Sequence, residues 1–381
     1  MSSAADAMRD RTVPAMPKAV GHKDAPDSIR ALAAATVVVS HAIQIIWFPH
    51  IGLGNWTHWT NSFLSDTAVI IFFVLSGYLI SASIYANIIR HGHFRALEYA
   101  LSRAIRIYPP LLFAAVLSGV IFLGMWLGGW PGIASKLAFA GDLYTARETI
   151  SVSVDDLLNT ITMRNGLLII NGPLWSLYVE VKLYAVAGLV SFCAFGAMPL
   201  LLRLIIAGIV VWLGEIWSLG IAAPHWVYCA WWAMGAGLFL AGRLRDRALA
   251  LAALGPLLAA GLVMWLSATR IDVEGGRVLF VLLLSHAMFF RWTWSEPVTK
   301  SIAGFSYTLY LVHFPILIFA YAAFVRFTGP EAPATVWRFL VMGLGMGASF
   351  LCAWWVAAVA EDTTRIRRAL SRSIARAKQG F

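Results

Sequence analysis

What most constrains this chain is how rarely its apolar sequence is interrupted. Long apolar runs follow one another from about residue 29 to residue 360, parted by polar or charged connections. A run of about 18 or more residues with few charges is long enough to cross a bilayer as a helix. Only 13% of the 381 residues are charged, where soluble domains carry roughly a quarter. No polar stretch is long enough for a large soluble domain. Barrel strands read as short alternating segments, and the runs here are continuous. The expected fold class is therefore all-α, a polytopic membrane protein.

Ten spans are expected, at 29–47, 68–88, 109–129, 173–195, 201–219, 225–241, 248–267, 277–292, 301–322 and 336–360. The sixth and eighth are short for a bilayer. With the N-terminus in the cytoplasm, the inner segments carry 21 Lys and Arg and the outer segments seven, Lys182 inside a span completing the 29. Inner segments are the ones that retain Lys and Arg, so both termini are expected in the cytoplasm. Residues 1–28 then form a flexible polar tail without the apolar core of a cleavable signal. Residues 29–360 form the membrane domain, and 361–381 a basic cytoplasmic tail. The net charge of +10 is cytoplasmic anchoring to membrane lipid and calls for no nucleic-acid partner. The longest outer segment, 130–172, holds "DLYTARETISVSVDDLL" and is expected to form a small amphipathic piece over the outer mouth.

Ionisable residues at membrane depth are costly and are functional candidates by default. Arg30 begins the first span and His41 lies eleven residues on. That is roughly 16 Å of rise and a return to within about 20° of the same helix face. Arg30 thus marks the cytoplasmic rim and His41 the mid-membrane level of one stripe; the bland reading is a snorkelling Arg and a packing His. Glu180 falls about seven residues into the fourth span, with Tyr184 on the same face. A carboxylate there needs a partner, and Lys182, two residues on, points elsewhere. His313 sits near the midplane of the ninth span beside Pro315. Three titratable side chains from three spans thus reach a similar depth. Glu215 and His286 read as an interfacial residue and a packing residue.

The segment 89–108, "IRHGHFRALEYALSRAIRIYPP", is a basic cytoplasmic cluster in which Arg103 and Arg106 share a helix face. It is either a lipid anchor or a phosphate-binding site, since guanidinium forks match phosphate geometry. Cys193, Cys229 and Cys352 stand alone and read as packing residues. No H-E-x-x-H motif, P-loop or G-x-S-x-G elbow occurs. Two further classes stay open on the residues alone. One is a proton-coupled transporter or flippase of a glycan or lipid-linked sugar, with His and Glu as a relay. The other is a membrane acyltransferase with one essential buried histidine, His286 or His313.

Five blocks in order resemble the acyltransferase 3 family of integral membrane O-acyltransferases: Arg30-x10-His41, "FFVLSGYLI" (72–80), "SRAIRIYPP" (102–110), "GPLWSLYVEVKLY" (172–184) and "SYTLYLVHFPIL" (306–317). The resemblance implies an enzyme that moves an acyl group, usually acetyl, from cytoplasmic acyl-CoA to a hydroxyl of a bacterial cell-surface or secreted carbohydrate. It implies a multi-pass protein of the inner membrane in which His41 and Arg30 are essential. Arg103 and Arg106 belong to the basic motif, and Glu180 is the acidic residue of the fourth block. Lys182 departs from the pattern, which has a neutral polar residue there, commonly Gln. On this reading His41, Glu180 and His313 are the catalytic candidates, and Arg30, Arg103 and Arg106 hold the donor's phosphates. His41 acts as a general base or as a transient acyl carrier, and no metal is called for. The acceptor sugar and the oligomeric state are left open.

Overall fold

The computed structural model describes residues 24–52, 54–133, 150–216, 226–241, 297–329, 335–366 and 368. Ten α-helices are defined among them: α1 Asp24–Ala42, α2 Phe48–Ile51, α3 Trp56–His91, α4 Ala96–Leu127, α5 Val154–Ile161, α6 Leu174–Phe195, α7 Leu200–Ile216, α8 Trp226–Ala241, α9 Pro297–Thr328 and α10 Thr335–Ala360. A π-turn, Ile43–Trp47, joins α1 to α2. No β-strand occurs among the described residues. Six helices are long and apolar enough to cross a membrane: Pro26–Ile51, Trp56–His91, Ala96–Leu127, Leu174–Phe195, Val298–Thr328 and Val336–Ile366. They contain or largely overlap the first four and the last two expected spans. The fifth is helical to Ile216, and the sixth is the short apolar helix Tyr228–Leu240. The seventh and eighth, with His286, lie outside the described residues.

Two helices start well before the apolar sequence does. The span expected at 68–88 is the later part of α3, which begins at Trp56. Asn55 caps it, its side-chain oxygen accepting the His58 amide at 2.9 Å, so the polar "WTHWTNSFLSD" enters the helix on capping rather than on hydropathy. The helix ends at Gly92, in the left-handed region at φ 72°, with its amide on Ile88 O at 2.8 Å. The third span, expected from 109, likewise begins at Ala96 and runs straight through Pro109 and Pro110. Interior prolines cost about 3 kcal/mol each in water, but a surrounding bundle can satisfy the carbonyls they free.

The centre is built from α1, α3 and α9, with α10 laid along α9 and much of its own surface turned outward. Ser28 Oγ meets Thr299 Oγ1 at 3.1 Å, and His41 meets His313 at 2.8 Å. These pairs are separated by thirteen residues along α1 and fourteen along α9, so the two helices run parallel, side by side, over about 20 Å. Their contact face holds fully buried Val38, Ala42, Leu309 and Val312. On the far side of α3, α8 approaches through glycines. A Cβ on Gly77 would meet Trp232 O at 1.9 Å, and one on Gly235 would meet Val74 O at 1.9 Å. Only hydrogen at both positions lets these backbones lie so close, the small-residue packing that takes over when apolar burial no longer drives association.

Part of the expected outer segment 130–172 folds as α5, opened by a capping box in which Ser153 and Asp156 satisfy each other's backbone amides. The connection from α5 to α6 places Met163, Asn165 and Leu167 at φ 60°, 62° and 57°. Such values are unusual for Met and Leu. Burial of Met163, Leu167 and Ile170, with the Tyr178 hydroxyl on Gly166 O at 2.7 Å, holds the loop in that shape.

Candidate active site

His41 and His313 form a directly bonded pair. His41 Nδ1 lies 2.8 Å from His313 Nε2, and the ring planes are within 10° with centroids 5.1 Å apart. That separation equals one hydrogen bond plus the two ring radii, so the rings lie edge to edge in one plane rather than face to face. His313 Nδ1 in turn lies 3.0 Å from Leu309 O, one turn back on its own helix.

These contacts fix the protons. A carbonyl oxygen only accepts, so His313 Nδ1 carries a hydrogen and donates it to Leu309 O. In the neutral imidazole the other nitrogen is then an acceptor. His313 Nε2 therefore accepts from His41 Nδ1–H. This leaves His41 Nε2 with its lone pair outside the chain of bonds, the free end of a three-member relay. Burial matches this order. His313 is fully buried, whereas His41 keeps partial access. Phe314 packs edge-on against His41 with centroids 5.2 Å apart, and Tyr310 lies beside His313 at 6.0 Å.

Glu180 is not bonded to either histidine. Its carboxylate accepts the Tyr184 hydroxyl, which accepts from Ser76 Oγ at 3.4 Å. Ser76 belongs to the "FFVLSGYLI" block and Gly77 to the close α3–α8 contact, so that block serves two packing interfaces. Tyr310 donates its hydroxyl proton to Pro173 O and so accepts from Ser176 Oγ at 2.7 Å, tying α9 to the start of α6. Tyr184 and Tyr307 lie within electrostatic range of both Glu180 and Arg106, and Tyr310 within range of Glu180. A polar, tyrosine-lined interior therefore lies among α3, α4, α6 and α9.

The two arginines of the basic motif diverge. Arg106 is exposed and lies within electrostatic range of Arg30. Arg30, 17% exposed, pairs with Asp27 at 3.3 Å. Arg103 instead donates to Ser83 Oγ at 3.2 Å and to Ser102 Oγ at 3.3 Å, and lies over the Tyr99 ring at 5.9 Å. It clamps α4 to α3. Arg90, His91 and Arg95 gather around one carboxylate, Glu98, at 3.2, 2.8 and 3.8 Å. Much of the charge in this segment is thus paired internally.

Three further polar residues dock into the bundle without a motif to mark them. Glu361, the first residue of the expected tail, docks on α9: its Oε1 accepts Thr308 N at 2.9 Å and Thr308 Oγ1 at 2.6 Å, within electrostatic range of Arg30. Its only signal was being the first carboxylate after the last apolar run. Asn171, fully buried, donates to Leu311 O at 2.8 Å. Pro315 stands four residues after Leu311 and has no amide to offer that carbonyl; an Asn beside a span and a Pro within another was the available signal. Arg338, counted as an outer-segment cation, is 2% exposed and donates to Ile46 O at 2.9 Å. Among the described residues no group of three or more His, Cys, Asp or Glu is placed to hold a metal ion.

Comparison with known proteins bears on this geometry. The chain is 32% identical over 168 residues to an O-acetyl transferase of Shigella phage Sf6, a stretch covering 42% of this chain and 44% of the phage protein. The shared stretch therefore spans less than half the length of that relative. No solved structure matches. The family model described as an acyltransferase domain matches residues 23–358, which takes in the histidine pair, Glu180 and all three arginines: this helical membrane protein belongs to the acyltransferase 3 family.

Proposed function

We propose that the chain is a ten-span O-acyltransferase of the bacterial inner membrane with both termini in the cytoplasm. It transfers an acyl group, acetyl by the family's usual chemistry, from cytoplasmic acyl-CoA to a hydroxyl of a cell-surface or secreted carbohydrate. The observation that carries this reading is the relay from Leu309 O through His313 to His41, which leaves His41 Nε2 free.

Acyl transfer to an alcohol needs a base at the attacking hydroxyl and a proton for the leaving thiolate. His41 Nε2 takes the hydroxyl proton as the acceptor oxygen attacks the thioester carbonyl. The resulting imidazolium has both nitrogens protonated and keeps its Nδ1–H on His313. The tetrahedral intermediate collapses, the carbon–sulfur bond breaks, and the thiolate of CoA recovers the proton from His41 Nε2. His313 touches neither reactant in this scheme. It holds the ring in plane and in the tautomer that presents Nε2, as a positioning residue.

Arg30 and Arg106 are two guanidinium groups within electrostatic range of each other at the end of α1 opposite His41. They supply the phosphate-binding rim. The roughly 16 Å from Arg30 to His41 suits a donor whose phosphates stay in the cytoplasm while its thioester reaches mid-membrane. The tyrosine-lined interior around Glu180 supplies hydroxyls along that route. Arg103 belongs to the scaffold of this rim through Ser83.

The test is direct. The full-length chain in nanodiscs is given acetyl-CoA and surface glycan from a bacterial host, and thiol release and glycan acetylation are followed. Wild type releases CoA only with acceptor present, and a folded His41→Ala protein does not. Wild-type rates in His41→Ala would sink the catalytic assignment. Glycan movement across the membrane without CoA release would establish the transporter reading instead.

A further inference from the structure

α1 does not continue as a regular helix beyond the histidine. Ile43–Trp47 is a π-turn, closed by the Phe48 amide on Ile43 O, five residues back. The sequence contains the cause. Pro49 has no amide, and its ring crowds the carbonyl four residues earlier, that of Ile45. Widening the turn by one residue relieves the crowding.

The π-turn is pinned from a distant part of the chain. Arg338, in the first turn of α10, donates to Ile46 O at 2.9 Å and lies over the Phe324 ring at 5.2 Å. Its neighbour Phe339 packs on Trp47 with centroids 4.6 Å apart. Arg338 is 2% exposed within an apolar bundle, a placement costing several kcal/mol unless its donors are used. Ile46 lies five residues beyond His41, about 7.5 Å along the axis.

The extra residue in the turn changes the phase of the helix by about 100°. With it, Ile45 and Ile46 stay in the core while His41 faces His313. Without it α1 and the segment that follows it could not both keep their faces. Either Trp47 and Ile46 would leave Phe339 and Arg338, or His41 would rotate off His313.

We propose that Arg338 is a positioning residue for the reaction: by holding Ile46 O it locks the π-turn that aims His41 at His313. This rests on His41 being the base. Family membership does not supply it, because it comes from one bond between the first turn of α10 and the π-turn after α1.

The experiment uses full-length Arg338→Lys, Arg338→Met and, independently, Pro49→Ala, which restores an amide and lets the turn close as an α-helix. All are purified in the same nanodiscs. The expected result is a fall in kcat on the order of 100-fold, the scale of an ångström-level misplacement, with KM for acetyl-CoA unchanged. Adding Arg338→Met to a His313→Leu protein should cost little more, because both act through the same ring. A readout independent of turnover is the rate at which diethylpyrocarbonate modifies His41, followed by peptide mass spectrometry. It should rise several-fold in Arg338→Met and Pro49→Ala as the pair opens. An unchanged modification rate, or losses that multiply in the double variant, would overturn the proposal. Absence of any acetyl-CoA turnover by the wild type would count against the proposed function, while the modification rates would still decide the role of Arg338.

Discussion

Replacing His313 by Leu tests the relay most sharply. The substitution keeps an apolar side chain of similar bulk in a fully buried site and leaves the helix intact, since Leu309 O can still take its ordinary backbone bond. What it removes is the acceptor of His41 Nδ1–H at 2.8 Å. A buried donor without a partner costs about 1–3 kcal/mol. His41 escapes that cost by turning its ring or by moving its hydrogen to Nε2, and both remove the lone pair from the reacting hydroxyl. At about 1.36 kcal/mol per tenfold, this predicts a fall in kcat of roughly 5- to 150-fold. KM for acyl-CoA should hold, because Arg30 and Arg106 lie toward the other end of α1. His313→Gln, whose Oε1 can accept the same hydrogen, should recover part of the loss. Removing the base itself in His41→Ala should cost more, about 10²–10⁴ in kcat. The assay is initial-rate thiol release in nanodiscs over a range of acetyl-CoA. If His313→Leu costs as much as His41→Ala and Gln recovers nothing, His313 is itself the base and the proton assignment is wrong. If His313→Leu has wild-type kcat, the pair is packing.

Three further outcomes follow from particular contacts. Asn171→Ala should lower stability by about 1–3 kcal/mol by stranding Leu311 O, and the loss should shrink in a Pro315→Ala background, where residue 315 regains an amide; thermal unfolding of the four proteins in detergent gives the cycle. Gly235→Val and Gly77→Val should force α3 and α8 apart, since even a Cβ would stand 1.9 Å from a facing carbonyl oxygen; size-exclusion yield and melting temperature should both fall, and an unaffected melt would mean the helices do not pack this way. Arg106→Ala should weaken CoA binding in titration calorimetry and flatten its salt dependence, whereas Arg103→Ala should chiefly lower the melting temperature, because Arg103 is engaged with Ser83 and Tyr99. Equal losses of CoA affinity in both would return Arg103 to the phosphate rim.

Hydropathy alone located most of the described helices, because a bilayer-length apolar run has few other ways to satisfy its backbone. It missed where helices begin when something other than apolar length sets the start, as with the Asn55 cap. The 3.6-residue period put Arg30 and His41 on one stripe, and α1 is regular from Asp24 to Ala42. Depth along the ninth span put His313 at the level of His41. The bond between them was not legible, because it depends on α1 and α9 being parallel neighbours, which no local pattern encodes. Glu180 was read at its depth with Tyr184 on its face, and the bond between the two is that one-turn spacing realised. Arg103 and Arg106 looked equivalent because spacing shows which side chains share a face and not which find a partner on α3. Arg338 and Glu361 stand at the two ends of the last apolar run, where sequence carries no mark of whether a helix folds a terminal residue inward.

The prolines explain how such a site is held inside an apolar bundle. Each interior proline leaves a backbone carbonyl without its usual amide, and an unpaired polar group there costs several kcal/mol. In this protein donors arrive from other parts of the chain at or beside those gaps. Asn171 meets Leu311 O below Pro315. Arg338 meets Ile46 O within a turn of Pro49. Tyr307 meets Ile107 O at 3.3 Å beside Pro109 and Pro110. Tyr310 adds a bond to the carbonyl of Pro173, just before α6. These bonds tie α9 to α4 and to the start of α6, and the turn after α1 to α10. A helix bundle held only by side-chain packing in lipid has weak means of fixing rotation about each axis, whereas a donor aimed at one particular carbonyl fixes both rotation and height. The cost of these prolines is thereby offset by bonds that fix the registration of His41 against His313, and the disruption of any one bond should be felt first as loss of that registration and only later as loss of fold.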